Sequence, residues 1–206
     1  MKTHVVMLLM LFLPALVEGA GPLTPHDSQA STLDFSVRFA RHKIPLEYGN
    51  RTQDSSSRWL GISLREKAGE RITLGMFGGY AFLTQTNNPV TAGIELEGYH
   101  AGFSLHGLLI EGQRLSLYSS VEYIYQKVDH KNNLQTVVID WALPRAEIGV
   151  MAKLARHWRF YGGGTYGKID GEERASGSIN QTLSFERGAM SGGFIGLDLN
   201  VETDGY

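Results

Sequence analysis

Cysteine is absent from all 206 residues. That excludes disulfides, thiolate metal sites, thiol nucleophiles and a lipid-modified N-terminal cysteine, so the chain does not read as a lipoprotein. A charge excess is also lacking: the net charge is −2, both signs are scattered along the chain, and no Lys/Arg run argues for nucleic acid. Nothing after residue 21 approaches an 18-residue apolar run, so no spanning helix is expected there. No carboxylate/His set has defensible metal-ligand spacing, and no cofactor is expected. A membrane location would therefore require a closed barrel, the one sheet that satisfies every backbone group in lipid.

What the chain does have is a series of apolar rows at period two. Reading outward from tight polar turns, these are Ile72, Leu74, Met76, Gly78, Tyr80 and Phe82; Leu115, Leu117, Ser119, Val121, Tyr123 and Tyr125; and Trp158, Phe160, Gly162, Gly164 and Tyr166. A fourth runs the other way, from Tyr99 through Ala101, Phe103, Leu105 and Gly107 to Leu109. Alternate positions on a strand share one face, and about 9–11 tilted residues cross a bilayer. Rows of that length ending in aromatics fit lipid-facing strands with an interfacial girdle, here Tyr80, Phe82, Tyr99, Tyr123, Tyr125, Trp158 and Tyr166. Glycine is abundant at 25 residues, many inside these segments, where a water-soluble fold would usually avoid it.

The first residues read as an export signal. Lys2 precedes an apolar stretch from Val5 to Val17, too short to span as a helix, and small residues follow at Gly19, Ala20 and Gly21. The expected organisation is a signal peptide (1–19), a polar periplasmic lead-in (20–31) and a β-barrel domain (32–206).

Eight strands are expected: 32–41, 59–65, a third from 72, a fourth ending near 110, then 115–127, 136–154, 158–168 and 188–201. Tight turns near 69, 113, 156 and 204 alternate with longer loops, the rim asymmetry of outer-membrane barrels. The longest loop is expected over 169–187. Three places disturb the pattern. Glu95 and Glu97 fall on the apolar face, which implies either projection above the membrane or a bulge near Gly98. Pro144 interrupts the sixth strand, implying a part above the bilayer or a one-residue slip. Glu202 to Gly205 reads as a turn before Tyr206, so the chain either closes at eight strands with a short tail or is a fragment of a barrel with ten or more.

The second face decides which side is enclosed. It carries small residues and the charges Asp34, Arg38, Arg65, Glu122, Arg145, Glu147, Lys153, Arg159 and Asp198. A narrow lumen needs small residues for room and paired charges for neutrality, whereas a wetted exterior would be denser in Lys, Glu, Thr and Gln. In strand length, rim asymmetry, girdle placement and charged lumen, residues 32–201 resemble small Gram-negative outer-membrane barrels of the OmpA/OmpX kind. The resemblance implies an all-β, antiparallel, up-and-down transmembrane barrel with a polar plugged interior. It also implies outer-membrane lipid and the outer-membrane assembly machinery as partners.

Catalytic signals are weak. Ser104, His106 and Glu122, with His100 nearby, share the lumen face, but a turn centred near 112.5 places His106 opposite residue 119. Glu122 would then lie roughly 10 Å away along the partner strand. Gly162-Gly163-Gly164 lacks the GK[ST] ending of a phosphate loop. No catalytic residue is assigned, and the expected role is that of a structural or surface-recognition barrel with the 169–187 loop as its contact surface. The alternatives are a passive solute pore through the charged lumen, a lipid-modifying enzyme using Ser104 and His106, and a secreted soluble binder.

Overall fold

The computed structural model describes residues 31–48, 51–86, 94–131, 134–177 and 180–203. The expected signal peptide, nearly all of the lead-in and the last three residues lie outside these. Eight strands follow one another: β1 (Ser31–Tyr48), β2 (Arg51–Lys67), β3 (Ile72–Gln85), β4 (Glu95–Ile110), β5 (Leu115–Lys131), β6 (Gln135–Lys153), β7 (Trp158–Gly177) and β8 (Gln181–Thr203). Each pairs antiparallel with its sequence neighbours, and β8 returns to β1 along a ladder from Ser31↔Thr203 to Lys43↔Ser191. The ring closes at eight, so the larger strand count is not required. Glu202 and Thr203 continue β8 against Thr32 and Ser31 where a turn was expected, because β1 offers them an open ladder.

The apolar rows face outward. Met76 is 58% exposed, Phe103 68% and Phe160 43%, while Ser36, Ser57, Ser104 and Ser120 on the other face are buried. An apolar exterior over a polar-lined interior is the inverse of a soluble barrel, and in water it would be an aggregation surface. Tyr80, Tyr99, Tyr123, Tyr125, Trp158 and Tyr166 stand exposed on this surface. Phe82 differs: it is half-buried, opposite Glu97, with the Arg58 guanidinium 5.8 Å from its ring centre.

Tight turns around 68–71, 111–114 and 154–157 define one rim. Toward the opposite rim the strands run further than their apolar rows predict. The Ser55–Ser57 run, expected in a loop, belongs to β2 and pairs with both β1 and β3. Most of the expected 169–187 loop is hairpin, β7 reaching Gly177 and β8 starting at Gln181, with Gly177 at φ +123° where glycine is favoured. Apolar periodicity stops at the membrane boundary, whereas ladder hydrogen bonding needs no apolar side chain and continues into water. Exposed charges mark that boundary on the outer face: Arg41, Lys43, Arg58, Glu95, Glu97, Asp129, Lys168 and Asp170.

The same projection accounts for Glu95 and Glu97. Register through Gly98 is continuous on both sides of β4, so no bulge switches faces there. Pro144 causes no slip either. It points outward, the β5–β6 register is unbroken across Tyr123↔Pro144, and only the β6–β7 ladder skips Leu143 and Pro144 before resuming in phase. Proline has no N–H to donate there.

Two outcomes test this arrangement. Phe103→Arg should cost about 2–4 kcal/mol in denaturant unfolding of the vesicle-inserted barrel, against about 0–1 kcal/mol for Glu97→Lys beyond the apolar belt. On β7, a Cβ at lumen-facing Gly163 would sit 2.1 Å from the Ile148 carbonyl oxygen, whereas at outward Gly164 the nearest atom is 3.9 Å away. Gly163→Ala should therefore destabilise by about 1–3 kcal/mol while Gly164→Ala is tolerated, checked by the same unfolding midpoint.

Candidate functional site: the closed lumen

Alternation turns one residue in two of each strand into the ring, and four successive layers fill it. Nearest the tight-turn rim is a vestibule of about 230 Å³ lined by Asp34, Arg65, His106, Tyr118, Arg159 and Asn200, among others. Arg159 pairs with Asp34, which also accepts a hydrogen bond from Asn200 Nδ2 at 2.6 Å. Arg65 meets Asp198 at 2.5 Å and lies 5.4 Å from the Tyr161 ring centre.

The second layer is a four-member ionic strut. Arg38 Nη1 lies 3.1 Å from Glu122 and its Nη2 contacts Glu147. Arg145 contacts Glu122 and lies 3.0 Å from Glu147. Ser120 Oγ donates to Glu147 at 3.0 Å, and Arg145 Nη1 is 3.1 Å from His42 Nε2. Arg38 stands on β1 and Glu122 on β5, strands that face each other across an eight-membered ring, so this network crosses the whole lumen. Two arginines against two glutamates leave no net charge, the condition under which buried ions are tolerable.

Aromatic rings cap these cations. The Arg38 guanidinium lies 4.1 Å from the Phe194 ring centre, and that of Arg145 lies 4.7 Å from Trp59. Cations over ring faces are attracted by the quadrupole, more so when desolvated. Trp59 stacks on His100 at 4.7 Å, and His42 tilts against it at 4.4 Å. Beyond them the fill becomes largely apolar, with residues such as Ile44, Leu83, Ile124, Ile139, Trp141 and Met190, but Gln85, Gln126 and Glu173 are buried among it and Gln85 Nε2 donates to Glu173 at 3.3 Å. The interior is polar and salt-bridged around the strut, as expected, and mixed beyond it, where apolar side chains supply most of the packing. Around the strut only about 20 Å³ remains free, room for about one water.

Eight of the nine expected lumen charges enter ion pairs: Asp34, Arg38, Arg65, Glu122, Arg145, Glu147, Arg159 and Asp198. Lys153 does not. It shares their face but lies exposed at the end of β6, opposite Arg159, with water available to its ammonium. The expected charge set omitted His42, Trp59, Ser120, Phe194 and Asn200, which complete the network. Counting parity from the assigned lumen residues finds Phe194 and Asn200 on β8 and His42 on β1; nothing in the sequence tells which of them meet.

The Ser104/His106 arrangement does not form a relay. The hairpin is centred one residue later than expected, Ile110 pairing with Leu117, and the register shift between Leu108 and Ile110 takes back half of that displacement, so His106 faces Ser120, not residue 119, and Glu122 faces Ser104. Ser104 Oγ has no hydrogen-bond partner, and the Glu122 carboxylate is held by Arg38 and Arg145. A nucleophile needs a base within hydrogen-bond reach, and none contacts this hydroxyl.

No family model matches the chain, and no curated protein matches its sequence. Solved structures do match in shape. The outer membrane protein AlkL, determined in DMPC bilayers, aligns over 90% of this chain and 99% of its own with a TM-score of 0.58 at 15% identity. Neisserial surface protein A aligns over 80% and 96%, with a TM-score of 0.55 at 12% identity. The N-terminal barrel of Pseudomonas aeruginosa OprF aligns over 82% and 97%, with a TM-score of 0.51 at 12% identity. The fold is that of the small outer-membrane β-barrels. Together with the lipid-facing exterior, this places the protein in an outer membrane.

The strut makes a sharp energetic demand. Glu122→Ala leaves two buried arginines to share Glu147 and should cost about 3–5 kcal/mol in denaturant unfolding. Asp140→Ala, which removes the partner of the largely exposed Arg174, should cost less than about 1 kcal/mol.

Proposed function

We propose that the protein is a closed structural barrel that holds hairpins above the outer membrane as a recognition surface, without conducting solutes and without catalysing a reaction. The observation that carries this reading is the strut. Arg38 and Arg145 bridge to Glu122 and Glu147 across the ring, with largely apolar fill behind them and about 20 Å³ of free space around them. Eight strands enclose an interior just wide enough for side chains to fill, and salt bridges between opposed strands resist dilation. The recognition surface is carried by a rigid base, as binding segments commonly are. Here it is the β7–β8 hairpin, whose strands pair through Ala175↔Gln181 beyond the membrane-embedded rows. The same closure disfavours the pore, and the unpartnered Ser104 hydroxyl disfavours lipid hydrolysis.

Conductance across a planar bilayer tests the reading. Inserted wild-type barrel should give a flat trace at 100 mV of either sign, while Arg38→Ala combined with Arg145→Ala should produce intermittent openings if it remains folded. Regular single-channel steps from the wild type would overturn the proposal.

A further inference from the structure

The strut turns the vestibule into a blind pocket. About 230 Å³ opens at the tight-turn rim, where Lys67, Glu70, Arg71 and Glu111 stand exposed, and it ends at the strut, around which only about 20 Å³ is free. At roughly 30 Å³ per water that is room for about eight waters, or for one sugar ring with its hydroxyls. Four buried polar atoms on the lining residues have no hydrogen-bond partner among the described residues: the Tyr118 hydroxyl, His106 Nδ1, Arg65 Nε and Arg159 Nε. Tyr118 is only 3% exposed, and the His106 ring lies beside it with centres 6.0 Å apart. The strut and the ion pairs make no use of the Tyr118 hydroxyl or of His106 Nδ1. Buried donors and acceptors left in this way are costly, and water or a ligand must satisfy them.

Charge selects the class of ligand. Arg65 is held by Asp198 and Arg159 by Asp34, while at the mouth Lys67 and Arg71 stand with Glu70 and Glu111. Lys153, opposite Arg159 at the end of β6, does not line the cavity and is exposed to water. The cations are thus matched by carboxylates. An anion approaching either guanidinium meets the carboxylate already on it, a cation approaching either carboxylate meets the guanidinium, and a buried ion without a counter-charge of its own is disfavoured. Hydroxyl groups carry no charge and both donate and accept. One ring of them can accept from the arginine Nε–H groups, exchange a hydrogen bond with the Tyr118 hydroxyl and meet His106 in either tautomer. Leu108 and Met151 add an apolar wall for C–H faces. We propose that the vestibule is a binding site for an uncharged, hydroxyl-rich small molecule of monosaccharide size. The site lies at the rim opposite the β7–β8 hairpin and is independent of the recognition role proposed for that hairpin.

Saturation-transfer NMR on the folded barrel, in a detergent without a sugar headgroup and with micelles alone as the baseline, tests this. Glucose is the probe, with glucuronate and, at mildly acid pH, glucosamine as its anionic and cationic counterparts. Glucose should bind saturably with a dissociation constant in the ~millimolar range expected of so small a ligand, and both charged analogues more weakly. Tyr118→Phe should weaken glucose binding about fivefold without lowering the unfolding midpoint, since the hydroxyl it removes has no partner in the fold. Met151→Trp, which fills the cavity, should abolish binding, while Asp140→Ala, toward the other end of β6, leaves it unchanged. Heat-modified gel migration checks that each variant is folded; should Met151→Trp fail, Tyr118→Phe decides alone. No saturable glucose binding to the wild type, undiminished binding by Tyr118→Phe or by folded Met151→Trp, or a charged analogue held as tightly as glucose would overturn the proposal.

Discussion

The hydrogen-bonded seam between β1 and β8 is the constraint on which the rest of this molecule depends. In hydrocarbon, an open sheet edge would leave a row of N–H and C=O groups without partners, each costing several kcal/mol. Pairing Ser31 through Lys43 with Thr203 back to Ser191 removes both edges at once. Closing after eight strands has a second effect: the enclosed space is too narrow to stay open, so the inward half of every strand must pack as a core.

That core is unlike the centre of a soluble protein because its outer wall already faces oil. Charges placed inside cannot escape to solvent, and the chain meets this with Arg38, Arg145, Glu122 and Glu147 in a neutral set. It then faces the guanidinium groups with Phe194 and Trp59. Glycines on the lumen face are part of the same economy of space: a Cβ at Gly196 would overlap the Tyr161 ring that lies above it. Above the strut the balance shifts to apolar packing, with the buried Gln85–Glu173 pair set within it. One interior thus uses both ways of excluding water, separated by a layer of Trp59, His42 and His100.

How legible this was depended on the element. The rows through Met76, Phe103, Val121 and Phe160 were readable because lipid imposes apolarity at every second position, and eight lumen charges followed by parity. The outer reaches of β2, β7 and β8 were not. Ser55, Ser57 and the residues from Asp170 onward carry no apolar alternation, so they read as loop, yet the ladder proceeds through them. His106 was placed one residue wrong because the hairpin pairs Ile110 with Leu117, a turn centred later than its polar residues suggest, and a bulge near Leu109 that leaves no mark in composition recovers only part of the offset.

Period, length and charge parity along the chain determined that the strands cross a membrane, which face meets lipid and which side chains turn inward, because each is a local property of a pleated strand. Which charges touch was decided only when the strands closed into a ring. Arg38 and Glu122 are 84 residues apart and meet because β1 and β5 stand opposite each other. The vestibule arises likewise from closure: Arg65, Tyr118 and Arg159 stand on β2, β5 and β7 and come to share one cavity that no single strand carries alone.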